Sequence, residues 1–468
     1  MTGQAARTRV LEPDRAKDML ASLIEQAVRT ACTSPSAFPQ GLRVEVPVAY
    51  TDALAWLRAQ AADVRVYWAS REDLVQVAGA GTADAISPDN GDLQSAFAEL
   101  QRDLASAHPN LRYYGGMAFD PVRETAGEWM PFGAYRFFLP RFQIENHGTH
   151  SYLVCNVLLR SSRDCDAHAE DVLEGLDALS FPENPPADSP PPPRDRADLP
   201  GLNGWNALVE DAMQHIQQGN LEKVVLARKS VFTYDAPLDA LALFERIAAR
   251  ASAAYEFYIQ PEPGAAFFGA TPERLYRRQG RYVESDAMAS TRPRGDTESQ
   301  DATFAQALLE SAKDRHEHAC VSRAIQIALE GLCHSVYASP DVTVLKLPQC
   351  QHLFCTIEGI LREEVSDAAV MRALHPTPAV GGAPTGPALR FLREHESFDR
   401  GWYAGPVGWL GPDSAEFAVG IRSGLVRGNI LSLYSGAGIV EGSTPDDEWN
   451  EIDTKLSNAL SALNRSDD

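Results

Sequence analysis

Hydrophobic positions change period repeatedly along the chain. In the first 180 residues, stretches 43–48 and 64–68 concentrate β-branched and aromatic residues and read as strands. Stretches 53–58 and 93–104 instead repeat apolar residues at helical spacing. Residues 111–119 and 135–142 are aromatic-rich and turn-bounded, which predicts two more strands. Beyond residue 200, an amphipathic helix over 208–217 leads through Gly219-Asn220 into 221–228, an apolar run with the character of a buried strand. Strands follow at 255–260 and 265–268, and the longest helical pattern spans 301–332. The last third alternates strands (353–361, 401–409, 417–426, 430–434) with helices (368–374, 387–394), at hairpin spacing. The final helix starts at Ser443-Thr444-Pro445, a cap followed by proline, and carries a stripe of Trp449, Ile452, Leu456, Leu460 and Leu463. The expected fold class is α+β, with large, mainly antiparallel sheets packed with surrounding helices.

One stretch breaks this pattern. Residues 181–200, FPENPPADSPPPPRDRADLP, can form neither a helix nor a central strand and predict an extended, solvated connector. It divides an N-terminal portion, 1–180, from a second portion, 201–468. A chain of 468 residues with 44% hydrophobic content can bury a large core. It has no run of 18 apolar residues and no apolar segment near its first residue, so neither a membrane span nor a secretory signal is expected, and the expected compartment is the cytoplasm. A formal charge of −22 disfavours nucleic acid and anionic membranes. An anionic ligand would therefore be held locally, by arginines, backbone N–H groups or a bound cation. The seven cysteines are scattered and never spaced Cys-x-x-Cys, which predicts reduced thiols used in packing.

Several residues could carry chemistry. Lys223 stands among apolar neighbours, where an amine is partly desolvated and can act as a base; alternatively it carries its ammonium out to solvent from a strand end. In 269–275, Thr271 reads as a cap and Pro272 as the first helical residue, which puts Glu273 in the first turn of a short helix, where a glutamate ordinarily complements the macrodipole. In 313–318, two histidines two apart are rotated by about 200° and cannot share a metal. Glu317 is the stronger ligand candidate there, or else part of a solvated charge cluster. Two glycine-bearing stretches, 375–382 and 435–442, read as irregular loops whose backbone N–H groups can approach a ligand. On the last helix Glu448 and Glu451 share a face, with Lys455 four residues on. They are an ordinary exposed cluster, or two carboxylates for a hard divalent cation with Lys455 reaching a substrate anion.

These segments together resemble the chorismate-utilising enzymes, and within them the isochorismate synthases. The likeness is carried, in family order, by LEKVVLAR at 221–228, GATPERL at 269–275, KDRHEH at 313–318, HPTPAVGG at 375–382, FAVGIRS at 417–423 and SGAGIVEGSTPDDEWNEIDTK at 435–455. It covers 205–465 strongly; before the linker only YYGGMAFDP and FLPRF are familiar. The resemblance implies the chorismate-binding fold and an Mg2+-dependent isomerisation in which water adds at C2 of chorismate while the C4 hydroxyl departs. By motif position it implies Lys223 as the base and Glu273 as the acid, with Glu317, Glu448 and Glu451 around the magnesium. Substrate contacts fall to Ser290, Thr377, Ala379, Arg422, Gly436 and Lys455. The family pattern commonly has glycine where Ser290 stands. A monomer or weak homodimer is expected. Anthranilate-type relatives usually lack the lysine at 223, and aminodeoxychorismate-type relatives often carry a second lysine within the stretch matching 287–291, which is absent here. Salicylate synthase, which eliminates pyruvate, shares Lys223 and is the nearer alternative. A non-catalytic ligand-binding module is the reading of another class, disfavoured by Lys223, Glu273, Glu317, Glu448 and Glu451 occurring together.

Overall fold

A computed structural model describes residues 10–34, 38–72, 75–88, 92–105, 107–125, 127–161, 165–181, 192–347 and 350–464. Its trunk is the long strand Tyr135–His147. One edge of this strand pairs with Val75–Ile86, and the other pairs first with Tyr113–Met117 and then with His150–Leu159. From that trunk two arms of sheet diverge. The first runs through Val75–Ile86, Arg65–Ala69, Tyr255–Glu262, Ala265–Thr271, Ser423–Arg427 and Ile430–Ile439 to Lys223–Thr233. The second runs through Tyr113–Met117, Pro406–Leu410, Ser414–Val419, Arg274–Gln279 and Tyr282–Pro293 to Cys350–Leu361. Every one of these pairings is antiparallel. In both arms the strands nearest the trunk come from before the proline-rich stretch and pair directly with strands from after it, at Arg65–Ala69 with Tyr255–Glu262 and at Tyr113–Met117 with Pro406–Leu410, and one continuous apolar core includes Trp56, Phe97, Phe137, Phe267, Trp402 and Phe417.

The chain crosses from one arm to the other at two neighbouring points. Ala265–Thr271 belongs to the first arm and Arg274–Gln279 to the second; Ser414–Val419 belongs to the second and Ser423–Arg427 to the first. This corrects two expectations. Glu273 is not in a helical turn, because strand ladders claim the residues on both sides and leave no room to complete an i→i+4 bond. The 417–426 stretch is two strands, interrupted at residues 420–422.

Other boundaries differ for local reasons. The 301–332 pattern is two helices, Glu298–Glu310 and Ala312–Glu330, because Ser311 adopts an extended conformation (φ −67°, ψ 114°) and its hydroxyl caps the second helix by accepting from the Asp314 N–H. Residues 435–439 are not loop: Ile430–Ile439 stays paired to Lys223–Thr233 through Ile439↔Val224. The strand expected at 401–409 begins only at Pro406. Within the 181–200 stretch, Asp195–Leu199 is a strand paired with Lys229–Thr233, while 182–191 lie outside the described residues, as does the side chain of Leu463. The all-reduced expectation for the cysteines fails at Cys32, which is disulfide-bonded; Cys155, Cys320, Cys333, Cys350 and Cys355 are free. Spacing along the chain is blind to cysteines brought together by packing, and Cys32 lies in the last turn of the Pro13–Thr33 helix. No helix among the described residues is long and apolar enough to cross a membrane.

The 375–382 loop is docked on the start of the Lys223 strand. Gly382 pairs with Val224 at φ +136°, and a Cβ on it would stand 2.4 Å from the Lys223 carbonyl oxygen. Buried Arg400 ties both sides together, donating to the carbonyls of Val225 (2.6 Å) and Val380 (3.1 Å) while Glu396 accepts from the Ala227 N–H at 3.0 Å. Gly382→Ala combines a backbone clash with a φ that L-residues avoid, and is expected to lower stability by about 2 kcal/mol or more, read as a fall in Tm on thermal denaturation.

Candidate active site

The strand Lys223–Thr233 presents Lys223 inward, only 8% exposed, so the ammonium does not run out to solvent. Its Nζ donates to Glu317 Oε1 at 2.7 Å, joining the first arm to the Ala312–Glu330 helix. Room for the side chain comes from Gly438 on the neighbouring strand, where a Cβ would stand 2.9 Å from Lys223 Cε. The other Glu317 oxygen accepts from the Ser290 hydroxyl at 2.8 Å, and that hydroxyl also lies 3.2 Å from the Asp314 carbonyl. Glu317 is buried, which opposes ionisation, yet the Lys223 ammonium and the Ser290 hydroxyl hold its carboxyl below the ordinary range. Ser290 sits at a bulge with φ +59°, a conformation that favours glycine, and its one hydroxyl proton is directed to Glu317 as the nearer of the two acceptors.

Glu273 stands at the first crossing, 5% exposed. Its N–H lies 3.4 Å from the Thr271 hydroxyl and its carbonyl accepts from the Val419 N–H at 2.9 Å. Burial raises the carboxyl to about 7; the charges of Lys223 and Arg422 and the nearby Thr377 hydroxyl oppose that rise, and Asp286 adds to it. Thr377 is itself buried, and its Oγ1 makes no hydrogen bond of ordinary geometry, so it is a polar atom facing the site without a fixed partner. Ala379, half-buried in the same loop, offers apolar surface.

Arg422 occupies the second crossing at φ +50°, with an exposed side chain whose Nη2 donates to the Cys350 thiol at 3.1 Å. The thiol also lies 3.3 Å from His352 Nε2, and His352 Nδ1 is 3.1 Å from the Ser290 carbonyl. Burial, then the Arg422 charge, pushes His352 down to about 4, so the ring is neutral. Arg422 thus rests on the Cys350 sulfur through one N–H, and its remaining N–H donors can meet an incoming carboxylate.

The last helix, Pro445–Asn464, is fixed over the first arm by aromatic contacts. Arg228 lies 3.8 Å over the Trp449 ring and pairs with Asp453, and Trp205 donates to the Pro445 carbonyl at 3.1 Å. This docking turns Glu448, Glu451 and Lys455 toward the site. Lys455 Nζ bridges Glu451 (2.7 Å) and the Gly436 carbonyl (2.9 Å). Burial raises the Glu448 carboxyl, and the charge of Glu451 raises it further.

Three carboxylates of the expected metal set therefore face one region but are not gathered at coordination distance. Glu317 is engaged by Lys223 and Glu451 by Lys455, and among the described residues no three acidic, imidazole or thiol groups cluster tightly enough to hold an ion. The donors are all oxygens, and the charge of Glu451 disfavours ionisation of Glu448; both facts suit a hard divalent cation. His318 is excluded as a ligand: it is buried, with Nε2 3.2 Å from the Ala287 carbonyl.

A lysine paired to a carboxylate, a carboxyl kept protonated near neutrality and an arginine without a carboxylate partner make an acid–base site for a small anion. The chorismate binding enzyme family profile matches residues 26–464. The chain belongs to the chorismate-binding enzymes. It is 33% identical to isochorismate synthase 2, chloroplastic, of Arabidopsis thaliana, over 93% of this chain and 83% of that protein. It is 37% identical to isochorismate synthase MenF of Bacillus subtilis, over 75% of this chain and 74% of that protein. The solved structure of MenF, the menaquinone-specific isochorismate synthase from Escherichia coli, superposes with a TM-score of 0.83 at 29% identity, covering 94% of this chain and 99% of that one.

Sequence reasoning named the candidate side chains that the structure brings toward one region of this chorismate-binding enzyme but not their supports: the Glu396–Arg400 pair, the Cys350–His352 pair and the charged residues behind Glu273. For the last, the signal was a pair of acids, Glu284 and Asp286, two apart in a strand that is buried throughout 283–289.

The burial of Glu273 has a thermodynamic consequence. Its folded pKa, about 7, lies above the ordinary carboxylate value, so between about pH 4.5 and 7 the folded chain keeps a proton that the unfolded chain has lost, and stability falls as pH rises through that window. Glu273→Gln removes this contribution. The variant is expected to gain roughly 3 kcal/mol relative to the parent between pH 4.5 and pH 8, read by urea denaturation at the two pH values.

Proposed function

We propose that this chain converts chorismate to isochorismate by adding water at C2 and releasing the C4 hydroxyl. The observation that carries the reading is the pair of oppositely suited groups, Lys223 on one sheet arm and Glu273 at the crossing to the other. Glu273, held near 7 by burial, keeps a proton at neutral pH that it can deliver to a departing hydroxyl. Lys223 takes the proton of the attacking water. It must first give up its ammonium proton, so release from Glu317 is part of its activation. Arg422 fits a substrate carboxylate through paired N–H donors, and Lys455 and the Gly436 strand provide the second anchoring point. Thr377 offers a free hydroxyl beside Glu273, and Ala379 an apolar wall.

Magnesium is part of this proposal. Glu448, Glu451 and Glu317 would hold it, and when bound it would offset their charge against an anionic substrate and act as a Lewis acid. Residues 201–468 carry every group given a chemical role, and 1–180 supply scaffold strands to both arms. The salicylate-forming alternative requires a further elimination, and at Ala379 and Val380 the 375–382 loop offers only apolar surface, with no hydroxyl to orient the enolpyruvyl group for it.

The deciding experiment incubates the protein with chorismate and magnesium near neutral pH and follows isochorismate and pyruvate by chromatography. Isochorismate should accumulate toward a mixture with chorismate while pyruvate stays a small fraction. Stoichiometric pyruvate with salicylate would establish the alternative instead. Lys223→Ala and Glu273→Gln should each lower kcat by on the order of 10²–10⁴, and Glu273→Gln should abolish the basic limb of the pH–rate profile. Excess chelator should abolish turnover, and Glu451→Gln should raise the magnesium concentration needed by about tenfold or more.

A further inference from the structure

The backbone that carries Glu273 is held on every polar group, and one of the holds comes from far away in the chain. The carbonyl of Pro272, part of the same peptide unit as the Glu273 N–H, accepts from Arg71 Nη1 at 2.6 Å. Arg71 follows the strand Arg65–Ala69 and its side chain is only 6% exposed. Its guanidinium stands 5.3 Å from the Tyr255 ring centroid and 6.0 Å from that of Phe354, one from each sheet arm. Its Nη2 donates to Asp286 at 2.7 Å, and Asp286 is almost completely buried. Arg274, the residue after Glu273, is fixed in the same cluster by Tyr255 (2.8 Å), Glu284 (2.6 Å) and Glu72 (2.6 Å).

We propose that Arg71 is a positioning residue for Glu273: by bonding the Pro272 carbonyl and neutralising Asp286 behind it, Arg71 sets where the acid's carboxyl points in the site. The inference rests on the reading of Glu273 as the general acid. A two-point guanidinium clamp on the peptide and on the buried carboxylate allows neither to shift alone. Misplacement of a proton donor by about 1 Å is enough to cost on the order of 10²-fold in rate. The groups facing Glu273 are Lys223, Arg422, Asp286, Thr377 and Tyr403. Of these, Asp286 is bonded to Arg71, so loss of Arg71 leaves that negative charge less compensated and favours the protonated acid.

The test compares Arg71→Ala, Arg71→Lys, Glu72→Gln and Glu273→Gln in the full chain, with chorismate and magnesium. Arg71→Ala should lower kcat by 10- to 100-fold with KM for chorismate changed less than about threefold, and should move the basic limb of the kcat profile to higher pH. Arg71→Lys, which keeps one donor and the charge, should recover part of kcat and return the limb toward its parental position. Glu72→Gln weakens one outer anchor of Arg71, whose Nη2 also donates to Glu72 at 2.7 Å, and one of Arg274, but leaves the Arg71 bonds to the Pro272 carbonyl and Asp286 in place; it should lower Tm with a kcat loss and a limb shift clearly smaller than those of Arg71→Ala. If Arg71→Ala lowers Tm but leaves kcat per folded molecule and the limb unchanged, Arg71 is structural and the inference is overturned. Equal losses of kcat in Arg71→Ala and Glu72→Gln overturn it too. Should Arg71→Ala fail to fold, Arg71→Lys decides by the same two readouts: parental kcat with a parental limb overturns the inference. Full turnover by Glu273→Gln would remove the acid assignment itself, a failure distinct from inactive Glu273→Gln beside unaffected Arg71 variants.

Discussion

Burying a carboxyl group without a hydrogen-bonded counter-ion is costly, and the architecture around Glu273 is organised to hold one there. The cost is met by protonation, so the group stands near 7 instead of in the carboxylate range. The position must be fixed by backbone, since no side-chain ion pair fixes it. Two chain crossings between the sheet arms do this: strand pairings clamp the residues before and after Glu273, and the second crossing donates the Val419 N–H to its carbonyl. Because Arg422 lies at that second crossing, the same ladder register that places the acid also places the arginine. A one-residue slip in either strand would turn both side chains away from the site.

The charged groups on the opposite side are held differently. Lys223, Glu317, Glu451 and Lys455 meet in ion pairs between side chains, and both glutamates also belong to the set suited to a cation. Such pairs can be exchanged for other partners without moving a strand, whereas the bonds around Glu273 cannot. In the proposed reaction the site would therefore combine a rigid acid with a base and an anion clamp that can be rearranged when a substrate and a cation arrive. The apolar docking of the last helix through Trp449, Trp205 and Arg228 keeps that rearrangement local to side chains.

Much of this was legible in the sequence. The strand around Lys223, the capped last helix with Glu448 and Glu451 on one face, and the antiparallel character all follow from period and turn chemistry, and the motif resemblance assigned each active residue. What failed were local rules overridden by distant partners. Thr271-Pro272-Glu273 has the composition of a helix start, but two strand ladders take its neighbours. Ser435–Gly438 looks like a glycine loop, but within a strand Gly438 makes room for the Lys223 side chain and Gly436 for the Tyr403 hydroxyl. Ser311 reads as one polar residue in a long helical pattern, but it caps a new helix. The direct pairing of strands from 1–180 with strands from 201–468, and hence the reach of Arg71 to the Glu273 peptide, depends on contacts about 200 residues apart. No periodicity records them.

The central claim is that two groups on different sheet arms, Lys223 and Glu273, add a solvent water at one ring carbon and expel a hydroxyl from another. The direct measurement is the oxygen isotope content of isochorismate formed from unlabelled chorismate in H2(18)O, by mass spectrometry at low conversion. The account predicts one solvent oxygen in each product molecule, located at the C2 hydroxyl, with the recovered chorismate unlabelled at early times. Isochorismate formed at full rate without label would mean that the hydroxyl moves within the molecule, and would contradict the roles given to both residues.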